Sequence, residues 1–344
     1  MRRSQSYLIL VALLVIALLL GAVALMENPE VQPPQTTSAA TNPVQTQPQP
    51  SQSAPVTTPP VTTTEPEETQ PEETQPVMAI IPTDRVLTAQ NAFVYDCSSR
   101  EFAYVLGNPD DTIYPASITK LATAFTVLQY LNPEDEVLLG SEQELVPWDS
   151  SVAGLQQGDK LTVEQLIEGM LLPSGNDAAT ALAVAAGRVI AEDENLAPKS
   201  AIKAFMKEMN RTLKSYGMGD SHFVTPDGYH DPDHYTTMED LAVLGRLVMN
   251  TPAILQYTAR PNDQIVLRED RVLEWKNTNL LINPESEFFC SAAIGLKTGY
   301  TEQAGNCLVS AFFEKDTVWI IGVFGCAKGN ENRYHDTLAI YNSL

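Results

Sequence analysis

The pattern of apolar and polar positions divides the chain into three parts with different expected structures. Residues 7–26 form an uncharged apolar stretch that is long enough to cross a bilayer as a helix. Residues 27–82 have few large apolar side chains, so they lack the surface needed to build a core. Only residues 83–344 alternate apolar and polar positions in ways that predict regular secondary structure.

Two β-hairpins are predicted, one near each end of the third part. Residues 92–96 and 102–106 are β-rich runs separated by a polar turn, and residues 308–313 and 318–324 repeat this arrangement. The segment around Lys297 lies just before the second hairpin along the chain. We therefore expect one antiparallel sheet that is built from both ends of the domain.

The middle of the third part is predicted to be helical. Apolar residues recur at helical spacing over residues 118–131, which predicts a helix that begins at Ser117 and packs one apolar stripe inward. A second helix is expected to end at Pro173, and an Ala-rich third helix to cover residues 177–189. A last helix is expected to begin at residue 332 or 333 and to run to the C-terminus.

Composition limits the possible partners and the number of domains. The 344-residue chain has a formal net charge of −22, which argues against nucleic acid as a partner because phosphate binding needs a basic surface. Residues 83–344 suit one large α/β or α+β domain with a full core. The sequence does not decide between disulfides and free thiols for its four cysteines, which are Cys97, Cys290, Cys307 and Cys326.

The N-terminal part carries export signals. Arg2 and Arg3 precede the apolar stretch, so the positive end is expected to stay in the cytoplasm and the rest to lie outside. The length of the stretch favours an uncleaved anchor at residues 1–26, but a signal peptidase would accept cleavage after Ala24, which would make the protein secreted. Residues 27–82, rich in Pro, Thr, Gln, Ser and Glu, are expected to form a disordered linker.

A serine and a lysine one helical turn apart suggest a nucleophile with its base. In the sequence Tyr-Pro-Ala-Ser-Ile-Thr-Lys-Leu, the side chains of Ser117 and Lys120 project from the same helical face. A serine hydroxyl is a poor nucleophile until a base takes its proton, and an amine is such a base only when it is neutral. Burial of Lys120, together with a second cation such as Lys297, would lower its pKa in the required direction.

Two further motifs follow, so the chain order is Ser-x-x-Lys, Ser-Gly-Asn and Lys-Thr-Gly. Ser174 can relay a proton between Lys120 and the leaving amine. Asn176 can hydrogen-bond a substrate carbonyl while it fixes the lysine. Both are also ordinary capping residues on a turn before a helix. On an extended strand, Lys297 and Gly299 share one face. The ammonium of Lys297 can then bind a substrate anion, while the missing side chain at Gly299 leaves room for the peptide.

Two more groups complete the predicted site. Thr298 adds a hydroxyl donor beside the substrate anion. The oxyanion that forms during acylation needs two donors, and the backbone N–H groups of Ser117 and Tyr300 are the candidates by position.

Metal chemistry and a different catalytic triad are the alternatives within the third part. Three of the four histidines, His222, His230 and His234, invite a metal site, but turn-forming residues surround them, which favours an irregular loop. A Ser-His-Asp triad is formally possible, although the Gly-x-Ser-x-Gly elbow that often carries it is absent. We expect no metal and no other cofactor.

Residues 83–344 resemble the low-molecular-weight penicillin-binding proteins, which are the serine D-alanyl-D-alanine carboxypeptidases of peptidase family S11. Besides the three motifs, the likeness rests on stretches at residues 227–232, 234–237, 277–281 and 304–309. The resemblance implies an α+β fold, an α/β sandwich of the penicillin-binding and β-lactamase-like type. Its antiparallel sheet is flanked by helices, and the site lies between the sheet and a helical lobe.

The resemblance also implies the roles of the residues. It predicts an acyl-enzyme at Ser117, Lys120 as proton acceptor, Ser174 as proton relay, and Lys297 and Thr298 as the group that binds the terminal carboxylate. The implied reaction removes the last D-alanine from peptidoglycan stem peptides, and β-lactam antibiotics should acylate the same serine. The expected location is the extracytoplasmic face of the bacterial membrane.

Three alternatives use the same motifs. A D,D-endopeptidase would cleave cross-links with identical residues. A class A-like β-lactamase would need a deacylating carboxylate after the second motif, and the nearest feature, Glu208, falls in a predicted amphipathic helix. A non-catalytic β-lactam sensor or wall-binding module would capture ligand without turnover, although the intact motif residues weigh against it.

One expected difference from many relatives concerns the C-terminus. Many carry a second, β-rich domain and a C-terminal amphipathic membrane helix, whereas this sequence ends close to the end of the predicted last helix. Membrane attachment is therefore expected to be N-terminal.

Overall fold

The computed structural model describes residues 86–268, 271–327 and 329–344. The predicted anchor at residues 1–26 and the predicted linker at residues 27–82 lie outside these ranges. Within them, no helix is both long enough and apolar enough to cross a membrane.

Among the described residues, most α-helices lie in the middle of the domain, and most strands lie near its two ends. The strands are β1 (Asn91–Asp96), β2 (Glu101–Leu106), β3 (Glu136–Leu138), β4 (Lys160–Thr162), β5 (Asn262–Arg268), β6 (Arg271–Lys276), β7 (Ala293–Thr301), β8 (Gly305–Glu314) and β9 (Thr317–Cys326). The α-helices are α1 (Thr119–Val127), α2 (Val163–Leu171), α3 (Asn176–Ile190), α4 (Pro198–Ser215), α5 (Met238–Met249), α6 (Pro252–Thr258) and α7 (Asn332–Tyr341).

Five strands form one antiparallel sheet in the order β2-β1-β9-β8-β7. Both predicted hairpins are confirmed, since β1 pairs with β2 and β8 pairs with β9. The N-terminal strand β1 also pairs with β9, with Val94 opposite Ile321. The sheet therefore joins the two ends of the domain, as expected, and it places β7 at one edge.

The central strands are apolar on both faces because helices cover the sheet from both sides. Successive side chains alternate between two cores: Phe93 and Val309 belong to one, and Val94 and Leu308 to the other. Helix α7 packs against β8 and β9 in the second core, while α5 packs against β1, β8 and β9. The predicted α+β fold, with its sheet flanked by helices, is confirmed.

Helix α1 is the centre of the helical lobe. The predicted helix with one inward stripe over residues 118–131 was wrong in two respects, because α1 ends at Val127 and all nine of its residues are buried. It contacts each of the helices α2 to α6. Its polar side chains find buried partners instead of solvent; Thr123, for example, donates a hydrogen bond of 2.6 Å to the carbonyl oxygen of Pro226.

Candidate active site

A single 3-10 turn, Ala116–Ile118, leads into α1 and carries Ser117. Two glycines from distant segments pack against this turn. A Cβ atom on Gly299 would lie 2.9 Å from the carbonyl oxygen of Pro115 and 3.3 Å from the backbone nitrogen of Ser117, and one on Gly228 would overlap the carbonyl oxygen of Ala116. Strand β7 and the loop at residue 228 can approach Ser117 this closely only because both positions lack a side chain.

Lys120 is fully buried and makes three hydrogen bonds through its Nζ atom. The distances are 2.8 Å to Ser117 Oγ, 2.8 Å to Asn176 Oδ1 and 2.8 Å to the carbonyl oxygen of Asp227. The last two partners are obligatory acceptors, so they take both N–H groups of a neutral amine. In the ammonium form the third N–H donates to Ser117 Oγ, whereas in the neutral form the lone pair is directed at Ser117 and can accept the proton of its hydroxyl.

Burial also favours the neutral form of the Lys120 amine. Desolvation is the main cause that lowers the pKa of Lys120, to about 8, and the carboxylates of Asp227 and Asp177 oppose this shift. The predicted lowering by burial is confirmed. The contribution predicted from Lys297 is not among the causes of this shift. Repulsion between the two amines instead lowers the pKa of Lys297.

The second motif forms the turn before α3, with Ser174 in the left-handed region at a φ of 64°. Asn176 is the first residue of α3 rather than part of the turn, and the N-cap is Gly175, which provides no side-chain cap. The interpretation of this motif as mere capping is therefore wrong. Asn176 instead donates 3.0 Å to Ser150 Oγ, and this bond orients its carbonyl oxygen toward Lys120.

Asp177 holds the loop that adjoins this motif. Its carboxylate accepts hydrogen bonds from the backbone N–H groups of Ala153 at 2.8 Å, Gly154 at 3.0 Å and Leu155 at 3.0 Å. The backbone N–H of Asn176 also donates 2.8 Å to the carbonyl oxygen of Ser151. These bonds fix the loop against the start of α3.

Lys297 is 1% exposed and lies on β7. Its Nζ donates 3.3 Å to Thr278 Oγ1 and 3.2 Å to the carbonyl oxygen of Thr298, and the hydroxyls of Thr278 and Thr298 are 2.6 Å apart. Burial, followed by repulsion from Lys120 and Arg333, lowers the pKa of Lys297 well below its usual value. A bound carboxylate would reverse this effect and favour the ammonium form.

Arg333 supports β7 from α7. Its guanidinium is buried and donates 2.9 Å to the carbonyl oxygen of Gly299 and 3.2 Å to that of Cys307. These two residues face each other across the β7–β8 pair. Arg333 therefore holds the strand edge next to Ser117 and adds positive charge beneath it.

The predicted site residues come from three separate segments of the chain. Hydrogen bonds join Ser117, Lys120 and Asn176, and packing brings Gly299 against the Ser117 turn. Electrostatic repulsion couples Lys297 to Lys120. The roles predicted for the remaining three residues stay predictions: Ser174 is buried at the turn, Thr298 is buried on β7, and Tyr300 is 61% exposed on the same strand.

Sequence reasoning missed four contributors to the site. Asp227 acts through its backbone carbonyl, and a pattern of side chains does not predict such a contact. Thr278 and Asp227 lie in stretches that matched the family, but their chemistry was not apparent before the fold brought them to the lysines. Ser150 and Arg333 carried no sequence signal, because their partners are distant in the chain.

The segment that contains His222, His230 and His234 has a structural role next to the site. Within the ranges that the structure describes, no three His, Cys, Asp or Glu side chains are arranged to hold a metal. His234 is buried and its Nδ1 accepts from the backbone N–H groups of Val224 at 3.1 Å and Thr225 at 3.2 Å, so its Nε2 donates 2.8 Å to Thr119 Oγ1. Burial lowers the pKa of His234 to about 4, which keeps this anchor neutral.

Glu208 and the cysteines do not contribute to the described site. Glu208 lies in α4, where it pairs with Arg211 at 2.5 Å and contacts Tyr130, and the bond to Arg211 lowers its pKa to about 2. All four cysteines are free thiols. Burial raises the pKa of the buried Cys307 thiol to about 11, so it remains protonated.

Known proteins that are similar to this chain include two with solved structures. D-alanyl-D-alanine carboxypeptidase DacF of Bacillus subtilis is 27% identical over 228 residues, which cover 65% of this chain and 54% of that protein. The crystal structure of the Streptomyces K15 DD-transpeptidase has a TM-score of 0.67 and 28% identity, covering 76% of this chain and 98% of that one. Penicillin-binding protein D2 of Listeria monocytogenes, solved in its ampicillin-bound form, has a TM-score of 0.60 and 26% identity, covering 75% and 97%. The chain spans about half the length of the first curated relatives that it matches.

A family model matches most of the folded part. The model described as D-alanyl-D-alanine carboxypeptidase matches residues 78–328, which include every residue of the three motifs. Together with the lysine-centred serine site, this match shows that the chain belongs to peptidase family S11, the D-alanyl-D-alanine carboxypeptidase family.

Proposed function

We propose that this protein is a serine D-alanyl-D-alanine carboxypeptidase that removes the terminal D-alanine from peptidoglycan stem peptides. The observation that carries the proposal is the position of Lys120. Its Nζ lies 2.8 Å from Ser117 Oγ while two fixed acceptors occupy its N–H groups. The hydroxyl of Ser117 thus has a base in contact, as nucleophilic catalysis requires.

Acylation follows from this geometry. Ser117 Oγ attacks the carbonyl carbon of the penultimate D-alanine and its proton passes to Lys120. The backbone N–H groups of Ser117 and Tyr300 stabilise the oxyanion. The C–N bond then breaks, and the departing D-alanine amine receives the proton from Lys120 by way of Ser174. Water, deprotonated by the same lysine, hydrolyses the ester and restores Ser117.

The buried cations near Ser117 favour a substrate that ends in a carboxylate. Lys297 is buried and repelled by Lys120 and Arg333, and a bound carboxylate would offset this repulsion. The hydroxyls of Thr278 and Thr298 are placed beside the same ammonium and can donate to the carboxylate. A neutral, amidated C-terminus would forfeit this charge-assisted binding.

β-Lactams should acylate Ser117 by the same steps, because opening of the lactam ring gives the same ester. Glu208 is engaged by Arg211 and Tyr130. With no other deacylating carboxylate assigned, we expect a long-lived penicilloyl-enzyme. Rapid steady-state hydrolysis of a chromogenic cephalosporin would instead favour the β-lactamase alternative.

The direct test is incubation of the protein with a pentapeptide that ends in D-alanyl-D-alanine. We expect release of D-alanine, and we expect a labelled penicillin to modify Ser117, as mapped by mass spectrometry of the digested adduct. Ser117→Ala should abolish both while its circular dichroism spectrum stays unchanged. A label on a different serine would overturn the mechanism, and labelling without D-alanine release would favour a non-catalytic sensor.

The endopeptidase alternative is separated by a comparison of two substrates. D-alanine release from the pentapeptide and cleavage of a purified cross-linked dimer are measured at matched concentrations. Carboxypeptidase activity predicts faster release from the pentapeptide. Faster cleavage of the dimer would reassign the substrate while the Ser117 mechanism remained.

We further propose that the N-terminal segment holds the enzyme at the extracytoplasmic face of the membrane. The uncharged residues 7–26 behind Arg2 and Arg3 support this location. Fractionation of cells that express the full chain should place it in the membrane with its N-terminal sequence intact. A soluble extracellular protein that begins after Ala24 would show that the segment is a cleaved signal.

A further inference from the structure

A tight turn beside Asn176 presents two exposed side chains at its corner. The backbone N–H of Ser150 donates 3.1 Å to the carbonyl oxygen of Pro147, which leaves Trp148 and Asp149 at the tip. Trp148 is 96% exposed, and Asp149 is exposed as well. The turn is anchored to the site, because Ser150 Oγ accepts the hydrogen bond from Asn176.

Tyr229 closes the other side of this surface. Its hydroxyl lies 3.2 Å from Asp149 Oδ1 and 3.4 Å from Oδ2, and it donates to that carboxylate. Tyr229 lies two residues after Asp227, whose carbonyl oxygen accepts a hydrogen bond from Lys120. The turn at Ser150 and the loop at Tyr229 are therefore both connected to Lys120 by short hydrogen-bonded paths. Its side chain is 39% exposed. Asp149 has no ion-pair partner within the described ranges.

The direction of the substrate places its next residue here. Lys297 and Thr298 would bind the terminal carboxylate, and Ser117 would attack the adjacent peptide carbonyl. Asn176 can donate to the carbonyl of the peptide bond that precedes the penultimate D-alanine. The residue before the D-alanyl-D-alanine pair would therefore extend past Asn176, toward Trp148 and Asp149.

The chemistry of this surface matches a cation. A carboxylate offers a charge-assisted hydrogen bond to an ammonium, and exposed Trp and Tyr rings attract one through their π faces. We infer that Trp148, Asp149 and Tyr229 form a specificity subsite that selects a free amine on the side chain that precedes D-alanyl-D-alanine. This inference rests on the proposed function, since it concerns the substrate of the same site.

The test compares two substrates that differ only in the charge of that side chain. One is Nα-acetyl-L-lysyl-D-alanyl-D-alanine with a free ε-amine, and the other is its Nα,Nε-diacetyl form. We expect kcat/KM to be about tenfold higher for the free amine at low ionic strength, equivalent to about 1.4 kcal/mol, and the ratio to shrink in high salt.

Asp149→Asn should bring this ratio close to one, because the amide still accepts from Tyr229 but carries no charge. Trp148→Ala should reduce it by a smaller factor. Acylation by benzylpenicillin, whose side chain has no amine, should fall much less than cleavage of the free-amine peptide. The matched control is Glu144→Gln, an exposed acidic residue of the preceding segment, which should leave the ratio unchanged.

The outcomes separate this inference from the proposed function. D-alanine release at equal rates from both peptides would overturn the subsite while leaving the carboxypeptidase activity standing. An equal loss for both peptides in Asp149→Asn would give Asp149 a purely structural role and would also overturn it. No release from either peptide, with intact penicillin labelling, would overturn both proposals.

Discussion

At the scale of single residues, the decisive feature is one amine surrounded by three oxygen atoms. Lys120 is buried, and the oxygens of Asn176 and Asp227 complete a hydrogen-bonding shell that suits a neutral base. The spacing of Ser117 and Lys120 predicted their contact, since residues three apart on a helix are neighbours. The other two partners depend on how remote segments pack.

The rate of acylation should follow the protonation of Lys120. Burial lowers the pKa of this amine to about 8, so the neutral fraction rises as pH increases through that value. At pH 7 about a tenth of the molecules hold the neutral base. The second-order rate of labelling by penicillin should therefore rise about tenfold between pH 7 and pH 9.5 and then level off. A profile that is flat over this range would remove Lys120 from the base role.

Lys120→Arg provides an independent check on the base. The positive charge is kept, but a guanidinium does not deprotonate at ordinary pH. We expect penicillin acylation to fall by about a hundredfold or more. Rates are compared only if thermal unfolding shows that the variant is folded, because Arg is larger than Lys in a fully buried position. An acylation rate close to that of the unchanged protein would contradict the assignment.

At the scale of elements, the site is the contact between the start of α1 and the edge strand β7. The turn that carries Ser117 lies against Gly299, and Arg333 of α7 fixes the carbonyl oxygen of that glycine from behind. The helix supplies nucleophile and base, whereas the strand supplies the substrate-binding lysine. Their relative position should therefore control the rate.

Gly299→Ala should disturb this contact. The added Cβ would lie 2.9 Å from the carbonyl oxygen of Pro115 and 3.1 Å from Ala116 Cβ, so backbone must move. We expect acylation to slow about tenfold and the free energy of unfolding to fall by about 1–3 kcal/mol. Gly219→Ala is the control, because a Cβ there meets no atom within 4 Å. Unchanged acylation in Gly299→Ala would show that the strand tolerates displacement.

Arg333→Met should weaken the attachment of β7 to α7. The carbonyl oxygens of Gly299 and Cys307 would lose a buried donor, which costs about 1–3 kcal/mol of stability. Acylation should slow as well, since the strand edge next to Ser117 would be less fixed. Urea denaturation and penicillin labelling measure the two effects, with Lys276→Met on exposed β6 as the control. Equal behaviour of the two variants would contradict a supporting role for Arg333.

At the scale of the whole molecule, we predict that residues 83–344 fold and act without the residues that precede them. Every site residue lies within this range, and the sheet and the lobe supply their own core. A protein that begins at Thr83 should be soluble, and its acylation rate should stay within about twofold of the full chain. Aggregation of this protein, while the full chain is active in membranes, would contradict the prediction.

Much of the fold was predictable because its signals are local. β-Rich runs separated by polar turns predicted both hairpins, and the Ala-rich run predicted α3 to within one residue at each end. The one-sided stripe of α1 failed as a prediction because other helices surround α1, and its polar side chains are buried, most of them with hydrogen-bond partners, instead of facing solvent. The assignment of Asn176 to a turn failed by one position, a typical error at helix ends.

The sequence by itself determined the chemistry of the site: a serine, a lysine one turn away, and two further motifs in a diagnostic order. Only the tertiary structure decided that Lys120 is buried between Asn176 and the Asp227 carbonyl, and that Arg333 reaches Gly299. The reason is physical. Residue types and helical spacing can be read from neighbouring positions in the chain. Three effects arise only when distant segments pack together: desolvation, hydrogen bonds to backbone carbonyls, and repulsion between buried cations.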